Sequence, residues 1–173
     1  MPEFSLRGKV SFPDNSRVGP TRIFDYVSPD RTRAWRVKEA HIWPITVRAN
    51  TEDDEGKCTY QFALFTDDGS DIAWNDLMDP TENRSFAWTT WNGYLRNNGT
   101  DDFIQAEVDA LAWFLIDPDT MIVKELWIGG NSTTESEESP VREWGYMITL
   151  EEIKVSPSQS VFQQIKGMGQ DLT

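Results

Sequence analysis

Apolar and polar side chains alternate along several stretches of the chain, and the longest of these stretches spans residues 35–47. Its odd positions carry Trp35, Val37, Glu39, His41, Trp43, Ile45 and Val47. Because successive side chains of a strand point to opposite faces, we expect the odd set to line a core and most of the even set to meet water. Pro44 cannot donate a backbone hydrogen bond, so it marks an edge, a bulge or a break. Residues 35–47 are therefore predicted to form one long strand, or two short strands bent at Pro44.

The same pattern predicts extended segments at residues 6–12, 58–65, 84–95, 103–116, 121–128 and 142–155. Turns rich in Asp, Asn, Gly and Pro separate these segments. A short helical turn is predicted at 72–78, and no amphipathic helix of useful length is evident. Seven or eight strands with turns between them predict an all-β fold, in which two antiparallel sheets pack as a sandwich or jelly roll.

The length of 173 residues predicts a single domain that can bury a core without disulfides or metals. We place this β-sandwich or jelly-roll domain at 1–155, with 1–33 partly an N-terminal arm. Residues 156–173 are predicted to be an extended C-terminal tail, either frayed or held against another surface. No stretch approaches the roughly 20 apolar residues of a membrane span, and the N-terminus lacks the pattern of a signal peptide. We therefore expect no membrane association.

Charge is unevenly distributed over a chain whose net charge is −13. Residues 1–40 carry eight bases and five acids, whereas residues 41–173 carry eight bases and twenty-four acids. The acids either keep an aromatic-rich surface soluble, or they form one acidic face opposite a mildly basic face or arm. The eight bases are dispersed, which does not favour strong binding to nucleic acid.

Catalytic chemistry is hard to build from this sequence, because His41 is its only histidine and Cys58 its only cysteine. Both residues alternate with aromatic side chains inside predicted strands, so packed side chains explain them better than a nucleophile and its base. A zinc site would need several such ligands. Glu107, Asp109 and Glu125 could supply the carboxylate pair of a glycosidase, but outward strand faces also explain them. We predict that the chain is not an enzyme.

Calcium is the one cofactor that the sequence suggests. Five aspartates lie on two tight turns and offer oxygen ligands of the type that calcium prefers, namely Asp67, Asp68, Asp71, Asp117 and Asp119. Turn chemistry alone also explains these residues, and neither turn matches an EF-hand loop.

Tryptophan is unusually abundant, with eight residues in one small domain. Trp88 and Trp91 are three positions apart, so they fall on opposite faces of a strand and at least one of them should face outward. Exposed aromatic side chains mark protein interfaces or sugar-binding platforms.

Two segments carry a resemblance to a known family. Residues 79–88 (DPTENRSFAW) and the ending at 157–170 (PSQSVFQQIKGMGQ) are similar to coat proteins of small environmental viruses. The resemblance implies a jelly-roll capsid subunit that self-assembles with copies of itself into a virion shell. The interface residues expected from the aromatic surface and the tail are Trp88, Trp91, Phe162, Ile165 and Met168.

This sequence departs from the usual small-virus pattern because it lacks a strongly basic N-terminal arm. We therefore expect at most weak, non-specific contact between its N-terminal bases and a packaged genome. The alternative hypothesis is a carbohydrate-binding β-sandwich module with Trp88, Trp91 or Trp127 as a stacking platform. A hydrolase is a third and weaker hypothesis.

Overall fold

A computed structural model describes residues 2–13, 18–26, 32–45, 56–68, 77–95, 111–132 and 141–168. Within these ranges the chain forms nine strands and one helix. The strands are β1 Glu3–Pro13, β2 Val18–Asp25, β3 Arg33–Pro44, β4 Gly56–Phe65, β5 Ser85–Leu95, β6 Ala112–Trp113, β7 Leu115–Ile116, β8 Glu125–Ser132 and β9 Val141–Lys154. The helix, α1, spans Pro157–Met168.

The strands form two antiparallel sheets, with the order β1-β9-β3-β6 in the first sheet and β2-β8-β4-β5-β7 in the second. If β6 and β7 are taken as one interrupted strand, the chain is an eight-stranded ribbon. The first strand pairs with the last, the second with the seventh, the third with the sixth and the fourth with the fifth. Folding this ribbon over adds the pairs β3·β9, β4·β8 and β5·β7. This connectivity is that of a jelly roll, which confirms the predicted fold class.

The core lies between the two sheets and is dominated by aromatic rings. Trp144 of the first sheet packs against Tyr60, Phe62 and Trp91 of the second, with ring centroids 4.7, 4.7 and 5.1 Å away. All four side chains are at most 1% exposed. Facing strands thus supply large rings at alternate positions, as a sandwich core requires.

The predicted face pattern of the third strand is correct only for its first half. Trp35 and Val37 contribute to the core, but beyond them the buried core side chains are Ala40 and Ile42. The reason is a register shift between Val37 and Glu39: from one pair to the next, β3 advances by two residues while β9 advances by one. Such a bulge moves each later side chain to the opposite face. β3 ends at Pro44, the residue at which an edge, a bulge or a break was predicted, and residues 46–47 of the predicted strand lie outside the described ranges.

Four predicted strands are confirmed to within three residues at each end, namely those that became β1, β4, β5 and β9. The strand predicted at 121–128 is shifted, since β8 begins at Glu125 and Ile122 forms only an isolated bridge with Trp35. Of the segment predicted at 103–116, residues 103–110 lie outside the described ranges. So do residues 72–76 of the predicted helical turn.

Both terminal regions differ from the sequence-based expectation. The described parts of 1–33 are mostly strands of the two sheets, β1 and β2, rather than an arm. The tail is not extended, because it begins with helix α1. Ser156 Oγ accepts a hydrogen bond from the backbone N–H of Gln159 (3.2 Å), and Gln159 Oε1 accepts one from the N–H of Ser156 (3.0 Å). This reciprocal capping box, followed by Pro157 at the first helical position, starts the helix.

Candidate assembly surface

Large apolar side chains are exposed at the shared edge of the two sheets. Leu111, Trp113 and Leu115 point outward at alternate positions and are 37, 65 and 74% exposed. β6 pairs with β3 and β7 pairs with β5, so this short segment is the last strand of both sheets. We name these three residues the edge patch.

A second exposed apolar surface lies on α1. Val161, Phe162 and Ile165 are 37, 70 and 57% exposed. Ile165 follows Phe162 by three positions and Val161 by four, so the three side chains lie on one side of the helix. Ser160 is 2% exposed and marks the side that packs against the sandwich. We name Val161, Phe162 and Ile165 the helix patch. Phe162 and Ile165 were predicted interface residues; Met168 is the last residue of α1, and its side chain lies outside the described part.

The two patches lie far apart on the first sheet. Trp113 pairs with His41 of β3, whereas the segment that leads into α1 bonds to the start of the same strand, from Val155 N–H to Thr32 C=O at 2.9 Å. Thr32 and His41 are nine residue steps apart in extended chain, which corresponds to about 30 Å. The edge patch and the helix patch are therefore two separate surfaces.

The edge patch is held in place by contacts beneath it. The His41 ring is 4% exposed and meets the Trp113 indole edge to face, with centroids 4.2 Å apart. Thr89 Oγ1 donates a hydrogen bond to the Trp113 carbonyl at 2.8 Å, which joins the segment to β5. Glu39 Oε2 lies 3.8 Å from His41 Nε2. His41 thus supports an exposed tryptophan, in keeping with the prediction that it is a packed strand histidine.

The edge patch was not predicted from the sequence. Residues 111–116 are apolar at all six positions, so alternation alone could not show which set faces outward. Only the pairing of β6 with β3 places Ala112 inward and Trp113 outward.

The tryptophans singled out in the sequence occupy different places. Trp88 and Trp91 lie on opposite faces of β5, as expected, but Trp91 is 1% exposed in the core and is not a surface residue. Trp88 and Trp127 are half-buried on the outer face of the second sheet, where they pack with Phe65. The indole N–H of Trp88 donates to Ser85 Oγ at 3.2 Å, and that of Trp127 donates to Glu125 Oε2 at 3.0 Å.

Trp127 is further occupied by Arg22, whose guanidinium carbon lies 5.9 Å from the ring centroid. A stacking platform needs a ring face that is open to a sugar. The internal contacts of Trp127, together with those of Trp88, do not favour the carbohydrate-binding hypothesis.

Glu125 is the centre of a small charge cluster. It lies 3.0 Å from Lys124 Nζ and 3.3 Å from Arg22 Nη1. Burial raises the pKa of Glu125, but the hydrogen bonds from Lys124, Trp127 and Arg22 outweigh burial, so the pKa is lowered overall. A general acid of a glycosidase needs a raised pKa instead. Glu107 and Asp109, the other candidate carboxylates, lie outside the described residues.

The aspartates proposed for calcium make turn hydrogen bonds. Asp67 Oδ1 accepts from Asp68 N–H at 2.8 Å. Asp117 accepts from Asp119 N–H at 3.1 Å and from Thr120 Oγ1 at 2.7 Å, an Asx turn. In the described ranges no group of three or more His, Cys, Asp or Glu side chains is close enough to hold a metal, and Asp71 lies outside these ranges. Calcium binding stays a prediction.

Several N-terminal bases pair with acids on neighbouring strands. The pairs are Lys9–Glu143, Arg22–Glu125, Arg33–Glu152 and Lys38–Glu3, at 3.7, 3.3, 2.6 and 2.5 Å. The hydrogen bond with Lys38 lowers the pKa of Glu3, and the same bond raises the pKa of Lys38. Because these bases are locally compensated, they do not add up to a basic surface.

Comparisons with known proteins give little further information. No protein-family model matches the chain, and no curated protein matches it. A search of solved structures found a likeness to "The three-dimensional structure of Cocksfoot mottle virus", with 15% sequence identity over 92% of this chain and 100% of that chain. The TM-score is 0.36. The jelly-roll fold is therefore assigned from the strand order of the two sheets.

Within the described residues, no helix is both long and apolar enough to cross a membrane.

Proposed function

We propose that this chain is a structural protein that assembles with copies of itself into a closed shell, as a capsid subunit located in a virion. The observation that carries the proposal is the presence of two separate exposed apolar patches on one jelly roll. Jelly rolls serve in viral capsids but also in lectins and cupins, so the fold alone does not select the function.

The number of patches decides what kind of assembly the chain can form. A subunit with one self-complementary patch stops at a dimer, whereas a subunit with two separate patches continues to bind further copies. Contacts repeated at a fixed angle give closed rings or shells when the rotation between copies closes, and open filaments when it does not. The edge patch lies beside His41, and the segment that leads into the helix patch lies beside Thr32, about 30 Å away along β3, so the chain offers two patches.

The exposed side chains are large enough to support stable contacts. A buried aromatic side chain contributes about 150–250 Å² of contact area, and a specific interface needs about 1,000 Å² in total. Trp113 and Leu115 in one patch, and Phe162 and Ile165 in the other, would form the centres of such interfaces.

Contact with a packaged genome is at most weak in this proposal, because several N-terminal bases already pair with acids. Calcium ions between subunits would relieve the repulsion among acidic surfaces. We expect a chelator to lower the yield of assembled particles and added calcium to restore it.

The proposal is tested by light scattering on the size-exclusion eluate of purified protein, followed by negative-stain microscopy. We expect uniform closed particles for the natural sequence. Leu115→Asp and Phe162→Asp each place a charge on a patch at a side chain that is at least 70% exposed, so the fold should survive. Each variant should form only small oligomers, and the double variant should be monomeric.

The matched control is Thr90→Asp, which places the same charge on an exposed polar position of β5. It should assemble like the natural sequence. A natural sequence that stays monomeric near 20 kDa, with and without calcium, would overturn the proposal. A glycan-binding screen would then test the carbohydrate-binding alternative.

A further inference from the structure

A groove of about 720 Å³ lies where the first turn of α1 meets the start of β3 and the end of β9. Its apolar part is formed by Met121, Ile153 and Val155. The side chains of Ile153 and Val155 also pack with Ala34 in a small apolar cluster, separate from the main core. The groove is therefore a recess with an apolar part and charged lining residues, and the sandwich itself does not fill it.

The helix patch of the same chain does not fill this groove. Gln159, in the first turn of α1, is the residue of the helix that lines it. Val161, Phe162 and Ile165 do not line the groove and are exposed instead. One chain thus carries both an apolar recess and an apolar helix surface, and the two do not contact each other.

We propose that the groove binds α1 of a second copy of the chain, so that two copies exchange their helix patches reciprocally across a two-fold axis. This inference rests on the proposed self-assembly and names one of its contacts. In such an isologous interface each copy supplies one helix and one groove.

The distribution of charge favours α1 of a second copy in the groove. The groove is lined by three bases and three acids, namely Arg33, Arg36, Lys154, Asp119, Glu151 and Glu152. Helix α1 contains no acidic residue, and Lys166 is its one charged residue. In a chain of net charge −13, a helix without acids and a groove with balanced charges approach each other with little repulsion.

The two helices supply a large part of the area that a stable pair needs. A helix of 12 residues is about 18 Å long and about 10 Å wide, and burial of half its surface removes about 280 Å² from water. Two helices thus supply about 560 Å², and the two grooves with the strand ends around them supply the rest of the roughly 1,000 Å² that a specific interface needs. Phe162, at 70% exposure the largest side chain of the helix patch, would enter between Met121 and Val155.

The proposal is tested by cross-linking between copies. In a Cys58→Ala background, Phe162→Cys protein is mixed with Met121→Cys protein under assembly conditions and oxidised with diamide. We expect a disulfide between residues 162 and 121 of different copies, identified by peptide mass spectrometry. A mixture of Phe162→Cys with Thr90→Cys is the control and should give at least tenfold less cross-link.

A second measurement needs no cysteine and uses the natural background. Phe162→Asp should abolish the two-fold pair, whereas Ser158→Asp, which adds the same charge at an exposed position of α1, should retain it. If particles or oligomers form without the 162–121 cross-link, or if both variants behave alike, this inference is overturned while the proposed function stands. If the natural sequence is monomeric, both are overturned.

Discussion

At the scale of single residues, the aromatic core contains polar atoms without partners. The Tyr60 hydroxyl and the Trp144 Nε1 are buried, and neither has a hydrogen-bond partner among the described residues. An unsatisfied buried polar group costs about 1–3 kcal/mol, so these atoms lower the stability that the rings provide.

Replacement of Tyr60 by Phe should therefore preserve or raise stability, because it removes the hydroxyl and keeps the ring stacked on Phe62. We expect a gain of about 1 kcal/mol, which for a domain of this size raises the thermal midpoint by about 2–4 °C. Differential scanning calorimetry measures this change. A loss of more than about 1 kcal/mol would show that the hydroxyl has a partner in the folded protein.

Gly130 illustrates how closely the core is packed. A Cβ at this position would lie 2.8 Å from ring atoms of Phe12, which is fully buried. Gly130→Ala should destabilise the fold by about 1–3 kcal/mol, because the ring has no free space into which it can move. Urea denaturation followed by tryptophan fluorescence measures this loss. An unchanged midpoint would show that the two sheets can separate slightly.

Glu125 makes stability depend on pH. Since its pKa is lowered in the folded state, its contribution is present above the ordinary pKa of 4.5 and is lost as the pH falls through the lowered value. Stability should thus decline below about pH 4.5. In Glu125→Gln, stability at pH 7 should be lower and the acid decline should be shallower; Asp119→Asn, at an exposed turn position, is the control when calcium is absent. Identical pH profiles of denaturation would contradict this role of Glu125.

At the scale of elements, α1 depends on its capping box. Ser156→Ala removes the acceptor of the Gln159 N–H and should destabilise the helix by about 1 kcal/mol. Faster amide hydrogen exchange confined to α1, measured by mass spectrometry, is the expected result, together with weaker assembly because the helix patch is less ordered. Ser11→Ala, at an exposed position of β1, should change neither. Unchanged exchange in α1 would show that packing alone holds the helix.

At the scale of the whole molecule, charge opposes the contacts that the apolar patches favour. Each copy carries a net charge of −13, so copies repel one another at low ionic strength. An increase from about 0.01 to 0.15 M salt shortens the Debye length from about 30 to 8 Å. The protein concentration needed for assembly should therefore fall as salt is added, which light scattering can follow. Assembly that weakens with salt would show that charge pairs hold the copies together.

Much of the strand layout follows from the sequence alone. Alternation together with turn residues located β1, β4, β5 and β9, because local side-chain direction depends only on strand geometry. The pattern failed at the bulge after Val37, since one extra residue reverses the faces without a change in composition. It also missed β2 and the capping box before α1.

The tertiary structure alone decided which apolar side chains are exposed to solvent. Trp91 and Trp113 are equally plausible surface residues in the sequence, yet one is in the core and the other is 65% exposed. Exposure depends on which strand lies opposite and where each sheet ends, and these are long-range pairings such as His41 with Trp113. The sequence by itself determined the all-β class and the sign of the charge, because both depend on local pattern and composition; the edge patch exists only once distant strands have paired.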